Sequence, residues 1–371
     1  MVNLKKSEIG ISVYPDFYAK NDLKEQVERA AKLGYTRIFT SIQLGNLGFE
    51  NTKDNVTEDF QYLFDRCDEL RIIIHVDIND RVLKSVGGSP QDLSPIHRMK
   101  IKVLRLDGGF TDDEVAQMTN NPFNIQIEEN SSMVDRPEKR IRVIKENGDL
   151  KNYVTCHNFF PRNDTGLSFE DTVKFAKLYA DHGIQNGVFI ASLTSPNDLN
   201  ASGNGVCTVE EHRYTPAHVA FSELRNTNLF DYILFGDSVP SQQELEAVAR
   251  AASLDYVEIP VWLNHSLRQD LHTLVSETKL LSRPDQPETT LRATQTRGSH
   301  KIEPELAIHR PQYAITLDNE LSNRYEGELQ IILRDRPPTP VANVIGQVKP
   351  YGKRLVEQVK YKSLPFKLKE E

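Results

Sequence analysis

The stretch that decides the fold reads Ile72-Ile73-Ile74-His75-Val76-Asp77, an apolar run that ends in polar and charged residues. The same form recurs along the chain, each time before a segment with loop or helix character, at residues 9–16, 37–41, 103–109, 124–130 and 153–158. Polar strand ends that repeat in this way are typical of the carboxyl-terminal face of a parallel barrel, where active sites lie. The pattern therefore favours an enzyme.

Helical segments alternate with these strands. Leu23, Val27, Ala30 and Ala31 share one face of a predicted helix, and Gly34 is a natural cap after its end. We predict strands at 9–14, 36–41, 72–76, 102–106, 125–127, 154–156, 188–191 and 232–237, with helices at 23–34, 60–70, 112–119, 169–182, 216–226 and 242–252. The alternation predicts an α/β fold, a TIM (β/α)8 barrel over residues 1–252. No G-x-G-x-x-G follows the first strand, so a dinucleotide site has little support.

The pattern changes near residue 255. Strand candidates separated by prolines follow at 257–263, 290–296, 313–317, 327–333 and 341–347, with helices near 267–274 and 351–359. These features predict a smaller, β-rich domain over residues 256–371.

Composition narrows the partners and the compartment. A net charge of −8 over 371 residues argues against nucleic-acid or acidic-membrane binding. No signal peptide and no apolar run of the ~18 residues that a membrane span needs are evident. The cysteines Cys67, Cys156 and Cys207 form no C-x-x-C pair, so we expect no disulfide framework, no structural zinc and a cytoplasmic location. Nothing in these features determines the oligomeric state.

Several motifs resemble those of the MupG-type 6-phospho-N-acetylmuramidases. They occur in order along nearly the whole chain, at residues 10–15, 37–41, 105–110, 118–122, 156–162, 207–213 and 324–331. The resemblance implies a TIM barrel followed by a cyclophilin-like β domain. It also implies hydrolysis of the β-1,4 bond of the phosphorylated amino-sugar disaccharide MurNAc-6-phosphate–GlcNAc, during recycling of peptidoglycan sugars. We expect neither a cofactor nor a metal.

This chain departs from the family's pattern in one loop. After the second strand, where some members carry a glutamate, this chain has Leu44-Gly45-Asn46-Leu47-Gly48, so no essential carboxylate is expected in that loop.

Glycoside hydrolysis usually needs two carboxyl groups across the scissile bond. The candidates that end predicted strands are Asp16, Asp77, Asp107, Glu128, Glu129 and Asp237. Adjacent strand residues point to opposite faces, so Glu128 and Glu129 do not both face inward. We predict that Glu128, which matches the family's strand-end glutamate, is catalytic, and that Glu129 is solvent-facing or caps a helix. Asp107 and Asp77 are its candidate partners. Asp107 shares a face with Arg105, which leaves both a structural ion pair and contact with an anionic sugar open.

The remaining candidates are predicted to bind substrate. His157 and Asn158 precede aromatic residues and Arg162, a combination suited to sugar hydroxyls, sugar rings and anions, although a core histidine is the alternative for His157. Arginines suit the phosphate and the lactyl carboxylate because they bind both in a bidentate manner. The full set of predicted substrate-binding residues is Tyr14, Asp16, Arg105, Asn130, His157, Asn158, Arg162, Arg213, Asp237, Arg297, Arg310, Asn319 and Tyr325.

Two other functions remain open from the sequence. The first is a metal-dependent barrel hydrolase of a phosphorylated or sugar substrate, with zinc or manganese held by His75, Asp77, Glu128, His157 and Asp237. The first strand lacks the H-x-H pair that many such enzymes carry. The second is a noncatalytic protein whose cyclophilin-like tail binds a sugar or a peptide.

Overall fold

A computed structural model describes residues 4–42, 58–195, 199, 204–285 and 287–371. The chain divides into two compact units, one at Lys6–Ala252 and the other made of residues 4–5 together with Ser253–Glu371. The loop at residues 44–48, where no essential carboxylate is expected, lies outside the described residues. No helix in the described ranges combines the length and the hydropathy needed to cross a bilayer.

The first unit is a closed barrel of parallel strands in chain order, which confirms the predicted TIM-barrel fold. Its strands are β1 (Glu8–Ser12), β2 (Arg37–Ser41), β3 (Ile73–Ile78), β4 (Val103–Leu106), β5 (Gln126–Asn130), β6 (Tyr153–Cys156), β7 (Gln185–Ile190) and β8 (Tyr232–Ser238). Its helices are α1 (Lys20–Lys32), α2 (Glu58–Glu69), α3 (Asp80–Ser85), α4 (Ser94–Arg98), α5 (Asp112–Thr119), α6 (Pro137–Asn147), α7 (Phe169–Ala180), α8 (Ala217–Arg225) and α9 (Gln242–Ser253).

Three of these helices, α3, α4 and α6, were not predicted. The helices α3 and α4 are too short for a helical period to show in the sequence. Helix α6 buries only Ile141 and Ile144 among charged residues, so its apolar stripe is narrow.

Alternation along the strands separates two apolar regions. On β8, Ile233 and Phe235 pack in the large core that includes residues of the surrounding helices. Tyr232 and Leu234 belong instead to a small cluster with Tyr14, Phe39, Cys156 and Phe189. Since successive strand residues point to opposite faces, this second cluster lies in the barrel lumen. The polar residues of the strands' inward face therefore lie in the lumen.

The second unit is built on one seven-stranded mixed sheet of order β10-β15-β9-β14-β12-β13-β11. Its strands are β9 (Val257–Leu263), β10 (Leu280–Leu281), β11 (Thr290–Ala293), β12 (Ala314–Asp318), β13 (Leu329–Ile332), β14 (Ala342–Val348) and β15 (Pro365–Glu370), and its helices are α10 (Gln269–Glu277) and α11 (Lys353–Lys362). Strands β10 and β15 were not predicted. Strand β15 alternates only Phe366 and Leu368 with lysines, which is a weak signal for a strand that pairs in parallel with β9.

Candidate active site

A buried carboxylate, Glu128, is the centre of a polar network in the lumen. Glu128 on β5 is the register partner of Arg105 on β4, and Arg105 Nη1 donates to Glu128 Oε1 at 2.9 Å. The other oxygen, Oε2, accepts from Tyr232 Oη at 2.5 Å and is 2.8 Å from His75 Nδ1. Glu128 has no exposed surface. Both carboxylate oxygens are therefore held by protein donors.

Local sequence explains why these side chains face inward. On β3, Ile74, Val76 and Ile78 belong to the outer core, which turns His75 and Asp77 toward the lumen. Gly187 on β7 makes room for the ring of Tyr232, because a Cβ at residue 187 would lie 1.9 Å from that ring. A larger residue at 187 would displace a donor to Glu128.

The neighbours of His75 define its tautomer. Arg37 Nη1 lies 2.9 Å from His75 Nε2, and a guanidinium can only donate. His75 Nε2 must therefore accept, which leaves the ring proton on Nδ1 as the donor to Glu128. Burial lowers the pKa of His75, and the charges of Arg37 and Arg105 lower it further, although Glu128 opposes them. His75 is neutral and connects two ions.

The same contacts keep Glu128 ionised. Burial alone raises the pKa of a carboxyl group. Here the hydrogen bond from His75, the charge of Arg105 and the hydroxyl of Tyr232 outweigh burial and hold the pKa of Glu128 below its usual value. Burial raises the pKa of the Tyr232 phenol well above its usual value, so it stays a donor. Glu128 is thus a permanent anion near neutral pH.

Arg105 links Glu128 to a second carboxylate, Asp77, at the end of β3. Arg105 Nε lies 3.8 Å from Asp77 Oδ1, and Ser41 Oγ donates to Asp77 Oδ2 at 3.0 Å. Arg105 also donates to the side-chain oxygen of Asn158. The backbone N–H of Asn158 in turn donates to Asn130 Oδ1 at 3.3 Å. The structure therefore brings together the predicted residues Asp77, Arg105, Glu128, Asn130 and Asn158.

An aromatic wall forms another part of the lumen. The ring of Phe39 meets those of Phe159 and Phe189 edge to face, with centroids 5.6 and 5.3 Å apart, and Phe159 and Phe189 are 5.0 Å apart. Tyr14 packs on Phe39 and donates its hydroxyl to the Gly236 carbonyl at 2.8 Å. Because the Arg105 guanidinium lies 5.9 Å from the Phe39 ring, the wall adjoins the polar network. Phe39, Phe189 and Tyr14 are buried, and Phe159 is the partly exposed ring of this wall.

Several predicted site residues lie elsewhere in the barrel. Asp107 is in the exposed loop after β4, Asp16 is exposed in the turn after β1, and Arg162 is exposed in the segment after β6. Partial loss of hydration raises the pKa of Asp16. The prediction that Glu129 faces solvent or caps a helix is wrong. Its carboxylate is buried, accepts from Tyr153 Oη at 2.8 Å and pairs with Arg140 at 3.0 Å.

His157 and Arg213 are buried but face away from the polar network. The ring of His157 packs near Phe175 and Phe230, which is the core histidine considered above, and burial lowers its pKa to about 3. Arg213 forms two bonds of 2.7 Å to Glu210, and its other donors are directed at carbonyl oxygens of Phe160, Arg162, Asn204 and Gly205. Its guanidinium thereby braces a loop rather than presenting donors to a ligand.

Asp237 anchors the loop that follows β7. Its Oδ2 accepts from the backbone N–H groups of Ser192 at 2.7 Å and Val206 at 2.9 Å. The side chain is buried, and burial raises its pKa to about 7 despite those two bonds. Asp237 therefore holds two backbone segments of the barrel together and titrates close to neutral pH.

The proposed metal ligands do not converge. Within the described ranges, no group of three or more His, Cys, Asp or Glu side chains is arranged to hold a metal ion. Both ring nitrogens of His75 are bonded to protein groups, one of them to the cation Arg37. His157 packs among aromatic rings, and Asp237 accepts hydrogen bonds from two backbone N–H groups of the loop after β7. The residues present do not fit a His and carboxylate metal site.

The predicted residues of the second unit form separate groups. Arg297 lies over the ring of Tyr325, 4.8 Å from its centroid. Arg310 donates to the Pro337 carbonyl at 3.1 Å and pairs through its backbone with Arg336. The Asn319 amide donates to Pro340 O and Asn343 Oδ1 and accepts from Leu321 N, so its polar atoms serve the fold.

Several members of the network are not among the residues that the sequence predicts to be catalytic or to bind substrate. They are Arg37, Ser41, His75 and Tyr232, together with the aromatic residues Phe39 and Phe189. Period-two spacing on β2 is the signal that was available, because Arg37, Phe39 and Ser41 share the inward face. Tyr232 had no such signal, since its neighbours on β8 are apolar on both faces.

Comparisons with known proteins identify a family and similar solved structures. The N-terminal model of the 6-phospho-N-acetylmuramidases matches residues 9–250, and the C-terminal model of the same family matches residues 257–369. A solved structure titled as an uncharacterized B. cereus protein aligns with a TM-score of 0.84 and 25% identity, covering 99% of this chain and 100% of that chain.

A conserved Enterococcus faecalis protein, titled as having an unknown function, aligns with a TM-score of 0.75 and 23% identity over 98% of this chain and 97% of that one. Comparison with curated proteins gives no match. The two family models together span almost the whole chain, so the resemblance drawn from the motifs is confirmed. The chain therefore belongs to the 6-phospho-N-acetylmuramidase family, and it is a glycoside hydrolase that acts on a phosphorylated muramic sugar.

Proposed function

We propose that this glycosidase cleaves the β-1,4 bond of MurNAc-6-phosphate–GlcNAc in the barrel lumen, in the cytoplasmic recycling of peptidoglycan sugars. The observation that carries the proposal is the pair of carboxylates, Asp77 and Glu128, that share the guanidinium of Arg105. Most glycosidases use a carboxyl group to exchange a proton at the scissile bond, and Asp77 is the member of this pair with exposed surface, whereas Glu128 is enclosed. The buried free thiols of Cys67, Cys156 and Cys207 fit a reducing compartment.

The two carboxylates have different tasks in this proposal. Asp77 lies at the end of its strand, with its side chain 12% exposed, and is the carboxyl group that exchanges a proton with the substrate. Glu128 is enclosed and ionised, which makes it unsuitable as a proton donor. His75 and Tyr232 hold the carboxylate of Glu128 in place, and the carboxylate in turn fixes the position of the Arg105 guanidinium. Asn130 and Asn158 supply amide groups for sugar hydroxyl or acetamido groups.

Product analysis with MurNAc-6-phosphate–GlcNAc beside the unphosphorylated disaccharide tests this function. We expect both sugars to be released from the phosphorylated substrate, with a kcat/KM at least ~10²-fold above that of the other, which corresponds to ~2.7 kcal/mol. Equal kcat/KM values would rule out phosphate-based specificity. Activity that a chelator abolishes and zinc or manganese restores would favour a metal-dependent hydrolase. Tight binding of the phosphorylated disaccharide without turnover would favour a binding protein.

A further inference from the structure

Arg37 lies at the floor of the barrel lumen, the end where the parallel strands begin. It is the first residue of β2, whereas Asp77 lies near the end of β3. Gly10, the register partner of Arg37 on β1, leaves room for its side chain, because a Cβ at residue 10 would lie 3.0 Å from the Arg37 Cβ. The Arg37 side chain is only 5% exposed, so its charge is enclosed with the polar network.

The Arg37 guanidinium contacts both rings that donate to Glu128. Its Nη1 donates to His75 Nε2 at 2.9 Å, and its carbon lies 4.3 Å from the centroid of the Tyr232 ring. The two rings are neighbours, with centroids 5.1 Å apart. Arg37 Nε donates to the carboxylate of Glu8 at the start of β1, which fixes the orientation of the guanidinium. A single side chain therefore supports both donors from below.

Arg37 also controls the charge of the His75 ring. The titratable and charged groups around this ring are Arg37 on β2, Asp77 on its own strand, Arg105 on β4, Glu128 on β5 and Tyr232 on β8. Burial lowers the pKa of His75, Glu128 raises it, and the charges of Arg37 and Arg105 lower it again.

The contact from Arg37 opposes protonation of His75 in a second way. An N–H of Arg37 points at Nε2, the one ring nitrogen that is free of a proton, so an imidazolium would bring two donors face to face. An imidazolium would also compete with Arg105 for the negative charge of Glu128. With Arg37 in place, the ring stays neutral and the charge of Glu128 is directed at the Arg105 guanidinium.

We propose that Arg37 is a positioning residue for the glycosidase reaction. It holds both donors to Glu128 from the floor of the lumen, and Glu128 in turn holds the Arg105 guanidinium that faces Asp77. Arg37 itself touches no reacting atom. This inference rests on the proposed function in one respect, since it takes Asp77 as the carboxyl group that exchanges a proton with the substrate.

Steady-state kinetics on MurNAc-6-phosphate–GlcNAc and NMR titration of the His75 ring, assigned by its loss in His75→Asn, test this role. Arg37→Met removes the charge and the donors and keeps much of the volume of the side-chain stem. We expect kcat to fall by ~10²-fold with little change in KM, because misplaced groups around a reacting centre cost about that much. The pKa of His75 should rise, because one of the cations that lower it is gone. As the pH falls through that raised pKa, kcat of the variant should fall further below that of the wild type.

Arg37→Lys restores the positive charge and one donor. The His75 ring should then titrate as in the wild type, and kcat should exceed that of Arg37→Met by about 10-fold, as expected for regaining a hydrogen bond from a charged donor.

Arg140→Met is the matched control. Arg140 is also a poorly exposed arginine that pairs with a carboxylate of β5, but its partner is Glu129, which points away from the lumen. This variant should lower the midpoint of urea unfolding, as Arg37→Met does, and leave kcat and the titration of His75 close to those of the wild type.

Circular dichroism accompanies each variant, and Arg37→Gln, which keeps a donor for Glu8, replaces Arg37→Met if the latter does not fold. Near-normal kcat in the folded variant overturns the proposal. A loss of kcat with an unchanged His75 titration and no recovery in Arg37→Lys also overturns it, since that result describes a purely structural residue. Both results keep the proposed function as long as the wild type hydrolyses the disaccharide. If the wild type does not, the proposed function fails, and the same comparison on an aryl β-glycoside of MurNAc 6-phosphate decides the role of Arg37.

Discussion

Arg105 and Glu128 lie opposite each other on neighbouring barrel strands and are joined by a hydrogen bond of 2.9 Å inside the lumen. The pair has almost no exposed surface, so neither charge is compensated by water. Breaking a buried pair by removing one partner typically costs ~3–5 kcal/mol. Loss of this contact should therefore lower the stability of the barrel and also shift the Arg105 guanidinium that faces Asp77.

Replacing Glu128 by Gln should lower kcat by ~10²-fold, because the neutral amide no longer holds Arg105 and the ring of His75 in place, and misplacement of groups around a reacting centre costs about that much. Glu129→Gln is the matched control. Glu129 is the next residue on the same strand, is also buried and is also paired with an arginine, but it points away from the lumen. Both variants should lower the midpoint of urea unfolding, and only Glu128→Gln should lose turnover. Near-normal kcat in Glu128→Gln would remove this residue from the catalytic network.

Asp77→Asn and Asp107→Asn separate the two candidate partners of Glu128. Asp77 lies 3.8 Å from Arg105 at the polar network, whereas Asp107 is exposed in the loop after β4. We expect Asp77→Asn to lower kcat at least ~10²-fold, as loss of a proton-transferring group does, and Asp107→Asn to leave it within a few-fold. Steady-state kinetics on the phosphorylated disaccharide measures both. The reverse order would assign the proton transfer to Asp107.

Sequence patterns predicted the barrel better than they predicted its site. Apolar runs ending in polar residues marked six of the eight barrel strands, because strand burial depends on local composition. Which polar residues meet depends instead on register across neighbouring strands, as with Arg105 and Glu128. Because successive residues of an extended segment point to opposite faces, His157 lies in the outer core while the next residue, Asn158, lies at the polar network. The donors of Arg213 are directed at Glu210 and at backbone carbonyls, and the carbonyl acceptors carry no sequence signal.

His157→Phe should reduce the acid sensitivity of the fold. The pKa of His157 is about 3 in the folded state, below its value of ~6.5 in the unfolded chain. Burial of the neutral His157 ring therefore costs the fold nothing in protonation free energy above pH 6.5. As the pH falls toward 3, the unfolded chain takes up a proton that the folded protein does not, so the free energy of unfolding falls by up to about 1.4 kcal/mol per pH unit. Phenylalanine fits among Phe175 and Phe230 and carries no proton. Urea unfolding between pH 6.5 and 4 should show a shallower slope in the variant, with kcat/KM unchanged at pH 7. A raised KM would return His157 to the substrate site.

Asp237→Asn should become more stable relative to the wild type as the pH rises. The pKa of Asp237 is about 7 in the folded protein, above the value near 4 that an unfolded chain shows, so ionisation costs the wild type stability between these limits. The difference in unfolding free energy should therefore move in favour of the variant by roughly 3–4 kcal/mol between pH 4 and pH 8, whatever its offset at pH 4. Urea titrations at both pH values measure this change, and parallel behaviour of the two proteins would contradict the assignment.

Asp237→Asn also tests whether Asp237 binds substrate. A single oxygen of Asp237 accepts both backbone bonds, so the amide oxygen of Asn can keep the loop anchored. If anchoring is its task, kcat/KM at pH 7 stays within a few-fold of the wild type, whereas a direct bond to the sugar would appear as a raised KM.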